Sequence, residues 1–455
     1  MQQHLDVLRR KAAIAPDYAA RRDNLNRLEA LLRDHADSLA EAISRDFGHR
    51  SRHETQLLEL FPSLEGIKHT RSHLKRWMAP QRGFASLWFM PARIELRPQP
   101  LGVVGIIVPW NYPLLLAVAP LASALAAGNR VMLKMSEFTP ATGELLARLM
   151  ATTFPEGDVV VINGGPETGR AFAGLPFDHL LFTGSTAVGR DVMKRAAENL
   201  VPVTLELGGK SPAIVADDFP IDLAAERILF GKCLNAGQTC IAPDYVLLPR
   251  GKEEAFVDAA RHYVATHYPD LGADYSAIVN ARHRLRLREW LDEAKAAGAN
   301  IRTLSDANAD DTKVVPTAVL NAPASTRVMQ DEIFGPILPI IGYSTLDEAI
   351  RHVNDRPRPL ALYVFSHDER SAEKVLRSTV SGGVSVNETL MHISQEALPF
   401  GGVGPSGMGH YHGKFGFDTF SKLKPVFRQS RFNGLKLFHP PYGKRFETLV
   451  RLLSR

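Results

Sequence analysis

The sequence predicts an α/β protein built from doubly wound domains, since short apolar strand patterns alternate with helical ones over most of the 455 residues. Residues 103–108 form a continuous apolar run, which is typical of a parallel strand buried on both faces. A turn at 109–113 leads into the apolar helical pattern of 114–127, and the same order of elements recurs after residue 240. The length itself favours two or three domains.

The segment before this alternation is mostly helical. Leucines and other apolar residues repeat at helical spacing in 5–46 and again in 57–77, with charged residues between them, so both segments are predicted to be covering helices. Pro80 and Gly83 end the second pattern. Residues 92–98 then alternate apolar and charged side chains as an exposed strand does, and a strand that leaves the main body here fits a dimer contact.

The remaining elements follow in chain order. Strands are predicted at 131–135, 159–162, 180–182, 201–205, 245–248, 318–320, 337–341, 360–365 and 383–386. Helices are predicted from 139, from about 187, and at 253–263, 282–297, 346–354 and 371–378. Glycine and proline accumulate after residue 398, and 446–453 is predicted to be a short basic amphipathic helix.

Charge and cysteine content restrict the function. The net charge of +5 comes from Lys and Arg scattered among acids, so a solvated surface is favoured over a nucleic-acid interface. The two cysteines, Cys233 and Cys240, cannot form a disulfide framework and match no usual zinc spacing. Histidines at 392, 410 and 412 lack a further ligand at a suitable spacing, so no metal site is expected. A reducing, cytoplasmic location is expected.

One stretch is long enough to span a membrane. Residues 101–129 contain no charged side chain, but glycines and prolines interrupt them repeatedly. A buried strand, a turn and a buried helix are therefore predicted instead of an integral membrane segment. The N-terminus has no basic region followed by an apolar core, so no signal peptide is expected.

Two segments about thirty residues apart carry candidate catalytic side chains. Glu206 ends a strand pattern where Gly208 and Gly209 break the regular backbone, so its carboxylate is expected to face a cleft as a base. Cys240 follows the small-residue loop 237–239, which lets backbone amides approach a group bonded to a nucleophilic sulfur. The alternative is a buried structural cysteine, since an unpaired thiol behaves as a small hydrophobe.

Together these segments resemble the paired signatures of the aldehyde dehydrogenase superfamily, L-E-L-G-G-K and G-Q-T-C, in the family's order and approximate spacing. The resemblance runs over nearly the whole chain and weakens only after about Phe432. It implies two Rossmann-type α/β domains plus a small β oligomerisation element, and a homodimer. The implied bounds are 1–81 and 102–209 for an NAD(P)-binding domain, 210–412 for a catalytic domain, 82–101 and 413–435 for the bridging element, and 436–455 for a C-terminal tail.

Further motifs extend the resemblance to an oxyanion hole and a dinucleotide site. The turn 109–113 matches P-W-N-[FY]-P, which implies that the Asn111 amide and the Cys240 backbone N–H hold the oxyanion. On its own, an Asn in such a turn is most often a turn former. The motifs K-x-S-E, F-T-G-S-T and E-I-F-G-P, together with residues of the P-W-N-[FY]-P and L-E-L-G-G-K segments, imply the cofactor contacts Trp110, Lys134, Glu137, Gly184, Ser185, Gly189, Leu207, Glu332 and Phe334.

Residues at these cofactor positions can also have purely structural roles. A Lys at a strand end, such as Lys134, is usually a snorkelling surface residue, and Phe334 can simply be a packed aromatic in a turn. If the resemblance holds, Lys134 and Glu137 take the adenosine ribose hydroxyls. A carboxylate there repels a 2′-phosphate, which favours NAD and leaves NADP possible.

The implied reaction is NAD(P)-dependent oxidation of an aldehyde to its acid. Cys240 forms a thiohemiacetal, hydride leaves to the nicotinamide, and Glu206 activates water against the thioester. The presence of Glu206 separates this chain from CoA-acylating relatives. Segments 46–55, 176–182 and 236–246 resemble bacterial coniferyl aldehyde dehydrogenases of the class 3 branch, so an aromatic aldehyde is expected.

Two alternatives to the coniferyl assignment stay open. One is a broad-range or fatty aldehyde dehydrogenase of the same branch. The other is a catalytically silent structural or binding protein on this scaffold, which predicts loss of Glu206 or Cys240, although both are present.

Overall fold

The alternation of strands and helices predicted from the sequence is confirmed in the computed structural model, which describes residues 1–307 and 310–454. The helices are α1 (Gln2–Ala12), α2 (Tyr18–Asp34), α3 (Ala36–Phe47), α4 (Arg52–Thr55), α5 (Phe61–Met78), α6 (Leu115–Ala127), α7 (Pro140–Thr153), α8 (Pro166–Ala173), α9 (Thr186–Ala197), α10 (Ile221–Cys233), α11 (Glu253–His267), α12 (Ala281–Ala296), α13 (Arg327–Gln330), α14 (Leu346–Asn354), α15 (Glu369–Ser378), α16 (Gly413–Thr419) and α17 (Lys444–Leu453). A π-helix (Gln56–Leu60) joins α4 to α5, and short 3₁₀ helices cover Leu87–Phe89, Leu234–Gly237 and Leu435–Phe438.

The strands are β1 (Gln81–Phe84), β2 (Arg93–Pro100), β3 (Val103–Ile107), β4 (Arg130–Lys134), β5 (Val159–Ile162), β6 (His179–Thr183), β7 (Val203–Glu206), β8 (Pro212–Val215), β9 (Tyr245–Pro249), β10 (Asn300–Thr303), β11 (Thr317–Leu320), β12 (Ile337–Tyr343), β13 (Ala361–Phe365), β14 (Gly383–Val386), β15 (Gly407–Met408) and β16 (Ser421–Arg428). Within the described residues they form three sheets. We name them the N-terminal sheet (β15-β7-β6-β3-β4-β5), the C-terminal sheet (β10-β11-β12-β9-β8-β13-β14) and the small sheet (β1-β2-β16).

Both large sheets are parallel except at one edge. In the N-terminal sheet β15 is antiparallel to β7, and in the C-terminal sheet β10 is antiparallel to β11. Strand β4 illustrates why the sequence favours this arrangement. Val131 and Leu133 lie in one core with α6, whereas Met132 lies in the opposite core with Leu5 and Leu8 of α1. Successive side chains of a strand point to opposite faces, so a continuous apolar run is buried on both.

The uncharged stretch 101–129 divides into β3 and α6, as predicted. Gly128 ends α6 in the left-handed conformation, with φ of 93°, which glycine adopts without the steric cost of a Cβ. Helices α2, α5 and α16 pack against α6. In the described part of the chain, no helix has the length and apolar character that crossing a membrane requires.

The sequence patterns missed some elements. Strand β8 was not predicted because Pro212 follows two glycines and a lysine, although proline is tolerated as the first residue of a strand. Neither the two-residue β15 nor the π-helix has a periodic signature. Because β15 pairs with the end of β7, it places the backbone of Gly407 beside Glu206.

Candidate active site

The carboxyl edge of the N-terminal sheet gathers most of the residues that the sequence nominates. Parallel strands end at one edge of their sheet, where open α/β sheets form their ligand crevices. Lys134 ends β4, Glu206 ends β7, and the loops that follow β3, β6 and β7 carry the other members of the set. These loop members are Trp110, Asn111, Gly184, Ser185 and Leu207.

Glu206 is a buried carboxylate without a compensating contact. Its residue is 2% exposed, and neither carboxylate oxygen has a hydrogen-bond partner among the described residues. Burial therefore raises its pKa well above the ordinary value for a glutamic acid. A buried polar group without a hydrogen bond lowers the stability of the fold, and such groups are concentrated at functional sites.

The loop that presents Cys240 is held in an unusual backbone conformation. Asn235 and Ala236 have φ values of 52° and 51°, a region in which side chains other than glycine are strained. Gly237 follows with φ of 73°, and a Cβ there would lie 2.4 Å from the carbonyl oxygen of Gly335. Only glycine fits this position, so the loop approaches the Gly335 backbone closely.

Cys240 is a half-buried residue, whereas Cys233 is fully buried at the end of α10. Burial among protein atoms raises the pKa of Cys240 to about 12, and the negative charges of Glu332 and Glu206 act in the same direction. The backbone N–H groups of Cys240 and Ile241 donate toward the sulfur and oppose this shift. At neutral pH the free protein therefore holds Cys240 mainly as the neutral thiol, near the acid groups of Glu332 and Glu206.

Asn111 is bound directly to the cysteine loop. Its Nδ2 donates to the carbonyl of Gln238 at 3.2 Å, and the residue is 3% exposed. The next residue, Tyr112, forms a hydrogen bond of 2.5 Å with Thr239 through their hydroxyl groups. The structure thus brings Asn111 and Cys240 together from positions 129 residues apart in the chain.

Glu332 follows α13 in the second half of the chain, and its carboxylate lies beside Gly208, two residues after Glu206. A Cβ on Gly208 would lie 2.2 Å from the Glu332 carboxylate, so this glycine makes room for the acid. Oε1 of Glu332 has no hydrogen-bond partner in the described residues. Burial, followed by the charge of Asp244, raises the pKa of Glu332 to about 8. A free carboxylate oxygen here suits the hydroxyl group of a bound ligand.

The backbone that carries Glu332 is fixed by three charged side chains that the sequence patterns did not reveal. Asp244 accepts from the N–H of Ile333 at 3.0 Å, and Arg286 donates to the carbonyl of Ile333 at 2.7 Å. Lys210 pairs with Asp244 and donates to the carbonyl of Asp331 at 3.0 Å. Their separation along the chain hid this arrangement, since no local spacing connects them.

An aromatic wall connects the predicted cofactor positions. The rings of Trp110 and Phe334 meet edge to face with centroids 5.3 Å apart. His283 lies 5.2 Å from Trp110 and 6.1 Å from Phe138, measured between ring centroids. Phe138 directly follows Glu137, whose carboxylate is 3.7 Å from Nζ of Lys134.

Lys134 is 3% exposed and donates to the carbonyl of Met135 at 2.8 Å, so it is not the surface lysine of the alternative interpretation. Burial lowers its pKa. The ammonium group therefore lies at the sheet edge beside Glu137 and does not extend into solvent.

The start of α9 is packed closely against the Glu206 strand. Ser185 accepts from the N–H of Val188 at 3.5 Å as the helix cap. A Cβ on Gly189 would lie 2.7 Å from the Leu207 side chain, and one on Gly184 would lie 2.6 Å from the Phe182 ring. Small residues at these positions let the helix N-terminus, which favours anions, approach the sheet edge.

The histidines considered above are engaged in packing. His412 stacks on Phe400 with centroids 5.4 Å apart, and His392 shares a 2.9 Å hydrogen bond with Ser385. Across residues 1–307 and 310–454, no three His, Cys, Asp or Glu side chains come together in a way suited to a metal ion.

Comparison with known proteins identifies the family. A profile of the aldehyde dehydrogenase family matches residues 13–426. The chain is 54% identical over 437 residues to a probable coniferyl aldehyde dehydrogenase of Pseudomonas aeruginosa, covering 96% of this chain and 92% of that protein. A solved structure of the substrate-bound state of Staphylococcus aureus AldH matches with a TM-score of 0.94 at 38% identity, covering 99% of both chains. The NAD⁺ complex of an aldehyde dehydrogenase from Bacillus cereus matches with a TM-score of 0.85 at 27% identity, covering 94% of this chain and 88% of that one. The chain therefore belongs to the aldehyde dehydrogenase family.

Proposed function

We propose that this protein oxidises an aromatic aldehyde, of the coniferyl aldehyde type, to the carboxylic acid, with Cys240 as the nucleophile. The observation that carries the proposal is the position of the half-buried residue Cys240, whose loop is bound to Asn111 and whose sulfur lies near the Glu206 carboxylate, a group without a hydrogen-bond partner among the described residues. The similarity to a probable coniferyl aldehyde dehydrogenase supports the choice of an aromatic substrate.

The first chemical step is addition of the Cys240 thiolate to the aldehyde carbon. The carbonyl oxygen becomes an oxyanion, and the Asn111 amide and the Cys240 backbone N–H are the donors proposed to hold it. One donor of this kind contributes about 3 kcal/mol to transition-state stabilisation. The product of addition is a thiohemiacetal on Cys240.

A nicotinamide dinucleotide is the proposed cofactor, and it supplies the hydride acceptor that oxidation of the thiohemiacetal needs. The residues fit such a ligand, because Glu332 offers a carboxylate oxygen to which no described residue is hydrogen-bonded, and Gly184 and Gly189 leave space at the α9 N-terminus. Lys134 and Glu137 would hold the adenosine ribose. We propose NAD as the preferred form, with NADP possible, because a carboxylate from Glu137 at the adenosine ribose would repel a 2′-phosphate.

Release of the acid is the proposed task of Glu206. Its raised pKa makes it a stronger base than an exposed glutamate, and it activates a water molecule that hydrolyses the acyl thioester on Cys240. This hydrolytic route distinguishes the protein from CoA-acylating relatives. Because the reaction depends on a reduced thiol, we propose a cytoplasmic location.

The experiment that tests this function measures absorbance of the reduced cofactor with the purified protein over a panel of aldehydes. We expect turnover with coniferyl aldehyde and benzaldehyde, and faster reduction of NAD than of NADP. Higher kcat/KM for long-chain aliphatic aldehydes would replace the aromatic assignment with the fatty aldehyde alternative. Absence of turnover with every aldehyde and both cofactors would favour the silent binding protein.

A homodimer built on the small sheet is also proposed. This sheet and the turn beside it leave large apolar side chains exposed, including Phe84 at 91%, Trp88 at 62% and Phe427 at 51%. Exposed apolar patches of this kind mark interaction sites. We also propose the domain division. The small sheet belongs to a bridging element formed by 82–101 and 413–435. Residues 1–81 and 102–209 form the cofactor-binding domain, 210–412 form the catalytic domain, and 436–455 form a C-terminal tail.

Sedimentation velocity tests the dimer. We expect a mass near twice that of one chain for the native protein and a monomer for Trp88→Glu, since a buried unpaired charge at the contact opposes association. Ile14→Glu is the matched control, because Ile14 is 80% exposed but lies between α1 and α2. A monomeric native protein, or dissociation by both variants, would contradict the assigned surface.

A further inference from the structure

A π-helix lies behind the candidate active site. The N–H of Phe61 donates to the carbonyl of Gln56, which is the five-residue hydrogen bond of a π turn. In a regular α-helix, side chains five residues apart diverge by about 140° around the axis. A π turn has more residues per turn, which reduces this divergence. Glu59 lies within the π-helix, Glu54 lies just before it in α4, and both residues are buried. Such turns are frequent at functional sites.

Glu59 and Arg50 together hold the Asn111 turn at its centre and at its end. Oε2 of Glu59 accepts from the N–H groups of Leu114 and Leu115 at 2.7 and 3.0 Å, where α6 begins. Its other oxygen accepts from Nη1 of Arg50 at 2.8 Å. The same Nη1 donates to the backbone carbonyl of Asn111 at 2.9 Å. The turn is therefore held at its central residue, Asn111, and at its end, where α6 begins.

Glu54 holds the cysteine loop in the same way. Its Oε1 accepts from the N–H of Asn235 at 2.9 Å, and its Oε2 accepts from the hydroxyl of Ser276. The Asn235 side chain then donates to the carbonyls of Asn111 and Gln238 at 3.1 and 3.2 Å. The two segments that carry the proposed oxyanion donors are thus fixed to each other and to one helical turn.

The cost of this arrangement argues against simple packing. The Arg50 guanidinium is fully buried between the rings of Phe47 and Tyr112, and its Nε and Nη2 have no hydrogen-bond partner in the described residues. Replacing a buried ion pair with apolar side chains is often neutral or stabilising, so an incompletely satisfied one is poor evidence for a stabilising role. Its contacts all converge on the Asn111 turn and the helix that holds it.

We propose that Arg50, Glu54 and Glu59 are positioning residues, which set the distance between the Asn111 amide and the Cys240 N–H without touching the substrate. The inference rests on the proposed function, in which these two groups share the oxyanion. It assigns a role to the π turn, whose extra residue places both carboxylates against the two segments. An error of 1 Å in such a pair can reduce the rate by about 100-fold.

Arg50→Lys is the first test. Lysine keeps the charge but loses the planar fork that bonds Glu59 and the Asn111 carbonyl together. We expect the single-turnover rate of NADH formation to fall by about 10- to 100-fold. The dissociation constant for NAD should stay within about 2-fold, because the cofactor positions are not contacted. Arg130→Lys is the matched control. This buried guanidinium forms an ion pair of 2.8 Å with Asp158, in a part of the molecule remote from the oxyanion donors. The single-turnover rate of this variant should be unchanged.

A double-mutant cycle with Asn111→Ala separates positioning from general destabilisation. If Arg50 acts through the Asn111 amide, then Arg50→Lys should change the rate by less than about 2-fold once that amide is gone. Equal losses in the presence and absence of Asn111 would overturn the proposal. If Arg50→Lys does not fold, Glu54→Gln, which replaces one oxygen by nitrogen, is carried through the same cycle with the same criterion.

A second readout separates failure of this proposal from failure of the proposed function. Acylation of Cys240 by p-nitrophenyl acetate uses the thiolate and the oxyanion donors but needs no hydride acceptor. If the effects of Arg50→Lys and Asn111→Ala on this acylation rate are not additive, the positioning role is supported. This holds even if the protein oxidises no aldehyde, and in that case only the proposed function fails. Aldehyde oxidation by the native protein together with additive cycles in both assays overturns positioning alone.

Discussion

Replacing Cys240 with alanine is expected to lower aldehyde-dependent NADH formation by about 10⁴-fold or more, because removal of a nucleophile leaves only binding and the oxyanion donors to act. Cys240 is half-buried and lies near the acid groups of Glu206 and Glu332, whereas Cys233 is buried in the last turn of α10. Steady-state absorbance at saturating aldehyde and NAD measures the loss. An unchanged rate would remove Cys240 from the mechanism.

Cys233→Ala is the matched control, since it removes the other thiol of the chain from a site with no role in the proposed reaction. We expect its kcat to stay near that of the native protein, while its stability falls because a buried side chain is lost. Loss of activity in both variants, with correct folding, would show that the assay reports something other than attack by Cys240.

The raised pKa of Cys240 gives the pH dependence of the thiol a definite sign. The reactive form is the thiolate, and in the free protein the pKa is raised to about 12. Most of the protein therefore carries the thiol at neutral pH, and the thiolate fraction increases as the pH rises. We expect alkylation of Cys240 by iodoacetamide, without cofactor, to accelerate continuously between about pH 6 and pH 9. A plateau beginning below neutral pH would contradict this assignment.

Glu206→Gln should slow release of the acid more than formation of NADH in the first turnover. Without the carboxylate, the thioester loses its general base, a loss of about 100- to 10,000-fold in the hydrolytic step. Stopped-flow measurement should show a rapid NADH burst, close to one per active site, followed by a slow steady state. A burst that is absent, or a steady state as fast as in the native protein, would contradict the role of Glu206.

Two properties make this test specific to Glu206. Glutamine has nearly the same shape, so it fits the buried site and removes an uncompensated charge; stability is therefore expected to be kept or increased. Glu29→Gln is the control, because this carboxylate also lies mostly out of solvent but pairs with Arg33 and Arg71 on the outer helices. We expect it to leave both the burst and the steady-state rate unchanged.

Much of the architecture was predictable from the chain. The apolar runs of β3 and β4 predict strands buried on both faces, and Gly128 marks the end of α6. These are local signals, since periodicity and turn chemistry act over a few residues. The same is true of the segments around Glu206 and Cys240, whose residue types already indicate a base and a nucleophile.

What the sequence alone determined is therefore the order of elements, the aldehyde dehydrogenase signatures and the nomination of Glu206, Cys240 and Asn111. Only the tertiary structure decided that Glu206 has no hydrogen-bond partner within residues 1–307 and 310–454, that Glu332 faces Gly208, and that the Arg50 cluster holds the Asn111 turn. The reason is physical. Burial, pKa and hydrogen bonding at these positions depend on contacts between segments tens to hundreds of residues apart, which no local pattern encodes.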